Sequence, residues 1–240
     1  MWSYYGAKTN VIQHYPPPKH GKIIEPFAGT ARYALRYFDR EVLLVDKYEV
    51  IIKIWKWLQQ CSPNDVLSLP RFAPGQNINE VKYDCEEQRL LIGFLVGFGF
   101  SSPNDTAIAR FRNRPNAQVY TMNKIAKNLW KIKHWKFLWS SYEEILNQKA
   151  TWFIDPPYQF GGHCYKESNK KLNFQDLAGW SQSRDGQVIV CENTKADWMN
   201  FKPLVSQQCS SGRNHEAIWT NESSVFDLKQ YELFKDNTLM

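Results

Sequence analysis

Thr151-Trp152-Phe153-Ile154-Asp155-Pro156-Pro157-Tyr158 is the stretch on which the fold prediction rests. Its apolar run is too short for a helix and rich in β-branched and aromatic residues, so it predicts a buried strand. The prolines end that strand because neither can donate a hydrogen bond to a sheet. The Asp155 carboxylate and the Pro156 carbonyl then form a pair of acceptors at the carboxyl end of a strand, where open α/β sheets place their ligands.

These two acceptors and the neighbouring Tyr158 suit a planar ring that carries an exocyclic amino group. The acceptors would take the two amino hydrogens, and the phenol ring would stack on the face of the base. We therefore expect a catalytic site built from Asp155, Pro156 and Tyr158.

Two earlier segments suit a cofactor. Lys22 to Pro26 predicts a strand, and a small-residue turn through Gly29 leads into a helix, an arrangement that places cofactors at the edge of a sheet. The strand Val42 to Val45 ends in Asp46, 17 residues after Gly29, where a carboxylate can bind ribose hydroxyls. Asp46 is also a candidate cap for the helix predicted from Tyr48 to Gln60.

Regular alternation of strands and helices is lost after residue 60. We predict a catalytic core formed by residues 1–60 and 121–240, with residues 61–120 as an inserted region for substrate recognition. Within the insertion, a helix is predicted from Glu86 to Gly97. The core resumes with a helix from Met122 to Lys133 and a strand from Lys136 to Trp139.

The last part of the chain predicts a helix near Phe174 to Ser181 and a strand from Gln187 to Cys191. A polar segment from Gln159 to Lys171 is a candidate flap over the site. The tail from Val205 onward alternates like paired strands around Ser211-Gly212-Arg213-Asn214, giving a terminal hairpin with strands at His215 to Thr220 and Val225 to Leu233.

The net charge of +6 and the pI near 9.0 favour a polyanionic partner such as nucleic acid. From residue 110 to residue 136 there are eight Lys or Arg residues and no acid. Arg110, Arg112 and Arg114 would share one side of an extended segment and contact phosphates or guanine edges. Arg213 and Asn214, in the predicted hairpin turn, are candidates for further backbone contacts. The alternative is a solvated basic face without a partner.

The five cysteines are widely spaced and no His lies at a metal-ligand interval from them, so we expect reduced thiols and no metal site. The longest apolar run, Leu90 to Phe100, is far too short to span a bilayer. The expected location is the cytoplasm of a bacterial or phage-host cell.

The turn Glu25-Pro26-Phe27-Ala28-Gly29, Asp46 and the DPPY motif at residues 155–158 together resemble the S-adenosylmethionine-dependent DNA adenine-N6 methyltransferases. The likeness is closest to the Dam-like alpha group, in which the cofactor turn precedes the DPPY motif. Tyr4-Tyr5-Gly6-Ala7-Lys8 is similar to that group's N-terminal W-A-G-G-K-type segment. Ser140-Ser141-Tyr142 resembles its serine-aromatic turn after the third strand.

This resemblance implies an α/β fold with the mixed, Rossmann-like sheet of class I methyltransferases and a helical and loop insertion for target recognition. It implies methyl transfer from S-adenosyl-L-methionine to the N6 amino group of an adenine flipped out of double-stranded DNA, without a metal. Asp155, Pro156 and Tyr158 would hold the flipped base. The residues that would line the cofactor pocket are Tyr4, Lys8, Phe27, Gly29, Asp46, Ser141 and Tyr142.

The chain departs from the group at two places. Gly6-Ala7 replaces the Gly-Gly pair, and the Asn, Arg and Gly pattern of the recognition region in the group's type member is not visible. The target sequence, a restriction partner and the oligomeric state therefore stay open. Three alternatives share these features: an RNA adenine methyltransferase, a cytosine-N4 methyltransferase, and a non-catalytic DNA-binding regulator with the same fold. Cytosine enzymes usually carry Ser at the position of Asp155.

Overall fold

A computed structural model describes residues 1–97, 99–108, 116–209 and 212–222, and for residues 207–214 it describes the backbone only. The chain forms a seven-stranded sheet in the order β3-β2-β1-β4-β5-β7-β6. The strands are β1 (Lys22–Glu25), β2 (Glu41–Asp46), β3 (Lys136–Trp139), β4 (Ala150–Ile154), β5 (Gly186–Asn193), β6 (Lys202–Cys209) and β7 (Gly212–Thr220).

Strands β1 to β5 are parallel to one another, whereas β7 runs antiparallel to both β5 and β6. The order 3-2-1-4-5 of the parallel part is that of doubly wound α/β folds. The sheet is thus mixed, mostly parallel and compatible with a Rossmann-like fold. The strand order reverses between β1 and β4, and in such folds ligands bind at this point, outside the carboxyl ends of the strands.

Six α-helices lie among the described residues: α1 (Arg32–Arg36), α2 (Glu49–Gln60), α3 (Pro63–Leu67), α4 (Glu86–Gly97), α5 (Ala117–Ala126) and α6 (Phe174–Gln182). Successive strand side chains alternate between two hydrophobic clusters. Ile23 packs with Trp55 of α2 and Phe94 of α4, while Ile24 packs with Leu177 of α6. Because the central strands are buried on both faces, they carry near-continuous apolar runs.

The region predicted as an insertion packs directly on the core. Val66 of α3 and Leu91 of α4 belong to the same hydrophobic cluster as Ile23 of the sheet. The short helix α3 was expected to be loop. It begins with a capping box, in which Ser62 and Asp65 exchange side-chain to backbone hydrogen bonds, and with Pro63 in its first turn.

Two further predictions of local structure are wrong in part. The helix expected from Met122 to Lys133 is α5, which begins at Ala117 and ends at Ala126, followed by a separate 3-10 segment at Leu129–Ile132. The paired strands expected from Val205 onward are β6 and β7, but Gly212 to Asn214 of the expected turn belong to β7, and the strand predicted at 225–233 lies outside the described residues. Pro203 hid the start of β6 from the sequence pattern, but at an edge strand beside a bulge a proline is tolerated.

Across the parts of the chain that the structure describes, no helix combines the length and apolar character needed to cross a bilayer.

Candidate active site

A cleft opens at the carboxyl edge of the sheet where β1 and β4 separate. Its volume is about 1030 Å³ when the space at its mouth is included. Glu25 ends β1, Asp46 ends β2 and Asp155 follows β4, and all three line the cleft. The seven residues predicted for the cofactor pocket line it as well: Tyr4, Lys8, Phe27, Gly29, Asp46, Ser141 and Tyr142.

The turn between β1 and α1 is held by hydrogen bonds to the elements around it. The Gly29 N–H donates to Asp46 Oδ2 at 3.0 Å, and the Gly29 carbonyl accepts from Trp55 Nε1 at 2.9 Å. Gly29 and Ala31 both have positive φ, 44° and 46°. A positive φ is unusual for alanine. The hydrogen bonds of Gly29 to Asp46 and Trp55 therefore help to hold this turn, which forms one wall of the cleft.

Asp46 orients two segments of the cleft at once. Its Oδ2 accepts from Gly29, and its Oδ1 accepts from the Tyr48 N–H at 2.9 Å. The N-cap of α2 is Tyr48 itself, so Asp46 does not cap the helix. Burial raises the pKa of Asp46 to about 6, against the lowering effect of the two N–H donors. Above that pH the group is a carboxylate with lone pairs left for ribose hydroxyls.

Phe27 and Tyr142 supply an aromatic surface in the cleft. Their ring centroids are 5.5 Å apart, and Tyr142 also makes an edge contact with Trp180 of α6. Ser141, which precedes the ring, hydrogen bonds to Glu143. The 3-10 turn at Tyr142–Glu144 thus brings one aromatic and several polar groups to the cleft wall.

Asp155 forms a partly buried ion pair with Lys8. The distance between Lys8 Nζ and Asp155 Oδ1 is 2.8 Å, and the two side chains are 6% and 21% exposed. Burial raises the pKa of Asp155, and the Lys8 charge opposes that rise. Burial by itself would lower the pKa of Lys8, but the charges of Asp155 and Glu216 hold it above its ordinary value. Lys8 therefore stays protonated and favours the carboxylate form of Asp155.

The ring of Tyr158 lies under the same ammonium group. Lys8 Nζ is 4.6 Å from the ring centroid, which is within the range of a cation–π contact. The Tyr158 hydroxyl donates to Glu216 Oε2 at 2.5 Å. Pro156 is buried, and neither it nor Tyr158 lines the cleft as it stands.

The backbone after Tyr158 is tied to β5 by a second buried acid. Glu192 accepts from the Gln159 N–H through Oε1 and from the Asn193 N–H through Oε2. Trp198 Nε1 also donates to Glu192 Oε1 at 3.3 Å. These bonds fix the exit of the chain from the DPPY motif.

The segment Gln159 to Lys171, predicted as a flap, folds against the N-terminal segment. The Tyr165 hydroxyl donates to the Tyr5 carbonyl at 3.1 Å, and its ring lies near those of Tyr4 and Tyr5. A Cβ at Gly6, where φ is +71°, would overlap the Tyr165 hydroxyl. Only glycine allows this close approach, which forms one side of the cleft.

Of the residues predicted to contact DNA, the structure describes only the backbone of Arg213 and Asn214. Arg110, Arg112 and Arg114 lie outside the described residues. Arg213 and Asn214 were expected in the hairpin turn, but their backbone belongs to β7, in register with Gln208 and Gln207 of β6. Strand β7 begins at Gly212, so these two residues lie in a strand and not in a turn.

Several residues of the site were not predicted from the sequence. Glu25 ends β1 directly before the turn at Pro26 and lines the cleft with Asp155. An acid at the end of a predicted strand is the sequence signal that could have identified it. Tyr15, Tyr165, Glu192 and Glu216 carry no local signal, since each is defined by a partner distant in the chain.

Neither the models of known protein families nor the curated proteins contain a match to this chain.

Proposed function

We propose that this protein transfers the methyl group of S-adenosyl-L-methionine to the N6 amino group of an adenine in double-stranded DNA, as an enzyme of the Dam-like group. One observation carries the proposal: a single cleft brings the turn at Gly29, the acid Asp46 and the acid Asp155 to the switch point of the sheet. The mixed sheet is compatible with the class I methyltransferase fold that this function would use.

The donor set of the cleft fits the cofactor. Asp46 presents a carboxylate to a ribose diol, and Phe27 and Tyr142 present aromatic surface to an adenine ring. Gly29 keeps the backbone of the turn free of a side chain, and a Cβ there would reach the Tyr4 ring at 3.4 Å. When bound, the cofactor supplies a methyl group on a positively charged sulfur.

Asp155 and the Pro156 carbonyl act on the amino group of the target. An adenine amino nitrogen is a poor nucleophile because its lone pair is delocalised into the ring. Two acceptors that hold its hydrogens draw the nitrogen towards tetrahedral geometry and direct its lone pair outward, so that positioning and electrostatics lower the barrier. The new N–C bond would form as the methyl–sulfur bond breaks, the electron pair of that bond would stay on the sulfur, and Asp155, which accepts a hydrogen bond from the amino group, would take the proton that the nitrogen loses.

Lys8 keeps Asp155 competent for this role. Only the ionised carboxylate is purely an acceptor, and the ion pair at 2.8 Å favours that form. Because Lys8 binds Oδ1, the target amino group would use Oδ2 or displace the ammonium. The cost of flipping the base, a few kcal/mol, would be offset in part by stacking on Tyr158.

The charge distribution supports DNA as the partner. The basic segment continues from the predicted arginines through α5 to its C-cap, where Lys124 and Lys127 are exposed. Lys133 and Lys136 have other roles, since Lys133 donates to the carbonyls of Gln59 and Cys61 and Lys136 pairs with Glu41.

A triple variant that neutralises Arg110, Arg112 and Arg114 should bind duplex DNA more weakly and show a shallower salt dependence, measured by fluorescence anisotropy at several salt concentrations. An unchanged salt dependence would indicate that this basic segment is a solvated face without a nucleic-acid partner.

The decisive test of the reaction uses Asp155→Asn, which keeps the shape of the side chain but not its charge. With labelled S-adenosylmethionine and DNA from a methylation-free host, the wild type should produce N6-methyladenine and the variant should lose at least about a thousandfold in rate. Calorimetry should show cofactor affinity weakened far less. Asp39→Asn, at an exposed acid before the amino end of β2, is the matched control and should keep full activity.

Wild-type activity in Asp155→Asn would contradict the proposed function. A labelled N4-methylcytosine product, or a label in RNA rather than DNA, would place the enzyme in a neighbouring class. Cofactor binding without transfer to any nucleic acid would identify a non-catalytic regulator.

A further inference from the structure

A buried carboxylate outside the cleft lining contacts the tyrosine of the DPPY motif. Glu216 lies within β7, is only 3% exposed, and its Oε2 accepts from the hydroxyls of both Tyr158 and Tyr15, at 2.5 and 3.0 Å. These contacts span 58 and 201 residues of the chain. Strand β7, in the antiparallel part of the sheet, therefore places an acid in contact with the motif that follows β4.

Both phenols are donors in this arrangement. Burial raises the pKa of Tyr158 and of Tyr15 well above the ordinary value, and the charge of Glu216 adds to the rise in each. The single hydroxyl hydrogen of Tyr158 is thus committed to Glu216. Tyr158 therefore has no hydroxyl hydrogen to donate to a substrate, and its ring is the larger surface left for a base.

That ring is anchored at both ends. At the backbone, the Tyr158 carbonyl accepts from the Gly162 N–H at 3.0 Å, and the following residue, Gln159, is bonded to Glu192. At the far end, Glu216 holds the hydroxyl. The orientation of the ring relative to Asp155 is therefore set by the bond to Glu216, with Lys8 above the ring linking the two groups.

Removing a carboxylate from water is costly, and a neutral acceptor would cost less. The hydrogen bond from Tyr158 to an ionised acceptor is, however, about twice as strong as a neutral one. A firmly held ring loses less conformational entropy when a base stacks on it.

We propose that Glu216 is a positioning residue that fixes the Tyr158 ring in the orientation in which it stacks on the flipped target adenine. This inference rests on the proposed function. Glu216 acts through the Tyr158 hydroxyl, whereas its bond to Tyr15 supports the carboxylate from the other side.

A double-mutant cycle tests this chain of action. Glu216→Leu should lower kcat/KM for DNA about tenfold or more, as expected for loss of a hydrogen bond to a charged acceptor, while KM for S-adenosylmethionine stays within about twofold. In a Tyr158→Phe background, where the hydroxyl is already absent, Glu216→Leu should add less than about twofold. The same tenfold loss in both backgrounds would overturn the proposal, because Glu216 would then act by a route that does not include the Tyr158 hydroxyl.

Two variants serve as controls. Glu216→Gln keeps a neutral acceptor and should recover most of the activity that Glu216→Leu loses. Tyr15→Phe removes the other donor to the same oxygen and should change kcat/KM less than about threefold. A larger effect of Tyr15→Phe than of Tyr158→Phe would contradict the proposed route through Tyr158.

A second measurement does not depend on activity. With 3-fluorotyrosine at position 158, the fluorine resonance should be single and sharp in the otherwise wild-type protein and should shift or broaden in Glu216→Leu. An unchanged resonance would show that Glu216 does not hold the ring and would overturn the inference. A wild-type protein that methylates no DNA would overturn the proposed function, and this resonance would still decide whether Glu216 fixes Tyr158.

Discussion

Glu25 is a buried acid whose proton should make stability depend on pH. It ends β1, lines the cleft and is 2% exposed. Its Oε1 accepts from the Ala34 N–H at 2.6 Å. Burial raises the pKa of Glu25 from 4.5 to about 8, against the lowering effect of that N–H, and the charge of Asp155 adds to the rise. At neutral pH the group is therefore mostly a neutral acid.

The sign and size of the effect follow from this pKa. Between pH 4.5 and 8 the folded protein keeps a proton that the unfolded chain has released. The free energy of unfolding should then fall by about 1.4 kcal/mol for each pH unit, or by about 5 kcal/mol over the whole interval. Below pH 4.5 both states are protonated, and above pH 8 both are ionised, so the contribution is constant outside these limits.

Glu25→Gln should remove this dependence. The amide oxygen can still accept from Ala34, and the amide has no proton to lose. At pH 5 the variant and the wild type should unfold at similar temperatures. At pH 8.5 the variant should unfold roughly 10 °C or more above the wild type, since 1 kcal/mol corresponds to about 2–4 °C in a chain of this size.

The assay is thermal unfolding followed by circular dichroism at half-unit steps from pH 4.5 to 9. The matched control is Glu41→Gln, an exposed acid on β2 whose pKa is lowered by its hydrogen bond to Lys22. That variant should gain no stability at high pH, because an acid with a lowered pKa stabilises the fold when ionised. A Glu25→Gln variant that differs from the wild type equally at pH 5 and pH 8.5 would refute the assignment of a neutral Glu25.

Four other substitutions test the site. Lys8→Met should raise the pKa of Asp155 further, because the charge that opposes the rise is removed. The acid limb of the pH profile of the proposed methyl transfer should then move to higher pH. An acid limb at the same pH would contradict the role of the ion pair. Asp46→Asn should weaken binding of S-adenosylmethionine about tenfold in calorimetry. Equal affinity in the variant and the wild type would contradict the proposed contact between Asp46 and the ribose. Gly6→Ala should destabilise the protein by about 2 kcal/mol or more in denaturant unfolding, and Tyr165→Phe should restore part of this loss because the overlap is with its hydroxyl.

The carboxyl edge of the parallel part of the sheet could be predicted because β2 and β4 are apolar runs that stop at an acid. Strand β2 ends at Asp46, and β4 ends one residue before Asp155. An acid that interrupts an apolar run is visible without a partner. In a parallel sheet the carboxyl ends share one edge, so these local signals were enough to bring Asp46, Asp155 and the Gly29 turn together.

The antiparallel end could not be predicted in the same way. The alternation from Val205 indicated part of β6, but the start of the strand was missed because it contains Pro203, which is tolerated at the edge of the sheet where one side needs no hydrogen-bond partner. The start of α5 was missed because Ala117-Gln118-Val119-Tyr120 has little helical periodicity. Gln118 is nevertheless buried, since it donates to the Pro70 carbonyl and accepts from the Phe72 N–H.

The buried acids mark the limit of what the sequence can specify. Glu216 is surrounded by residues that alternate like an ordinary strand, and a lone glutamate there predicts a solvent-facing position. Its burial depends on two hydroxyls, on Tyr158 and on Tyr15, that reach it only when β7 has been placed beside β5. A charge can be buried only where partners satisfy it, so the position of Glu216 is a property of the assembled sheet. The residue that orients the tyrosine of the motif is therefore outside the motif, on a strand 58 residues further along the chain.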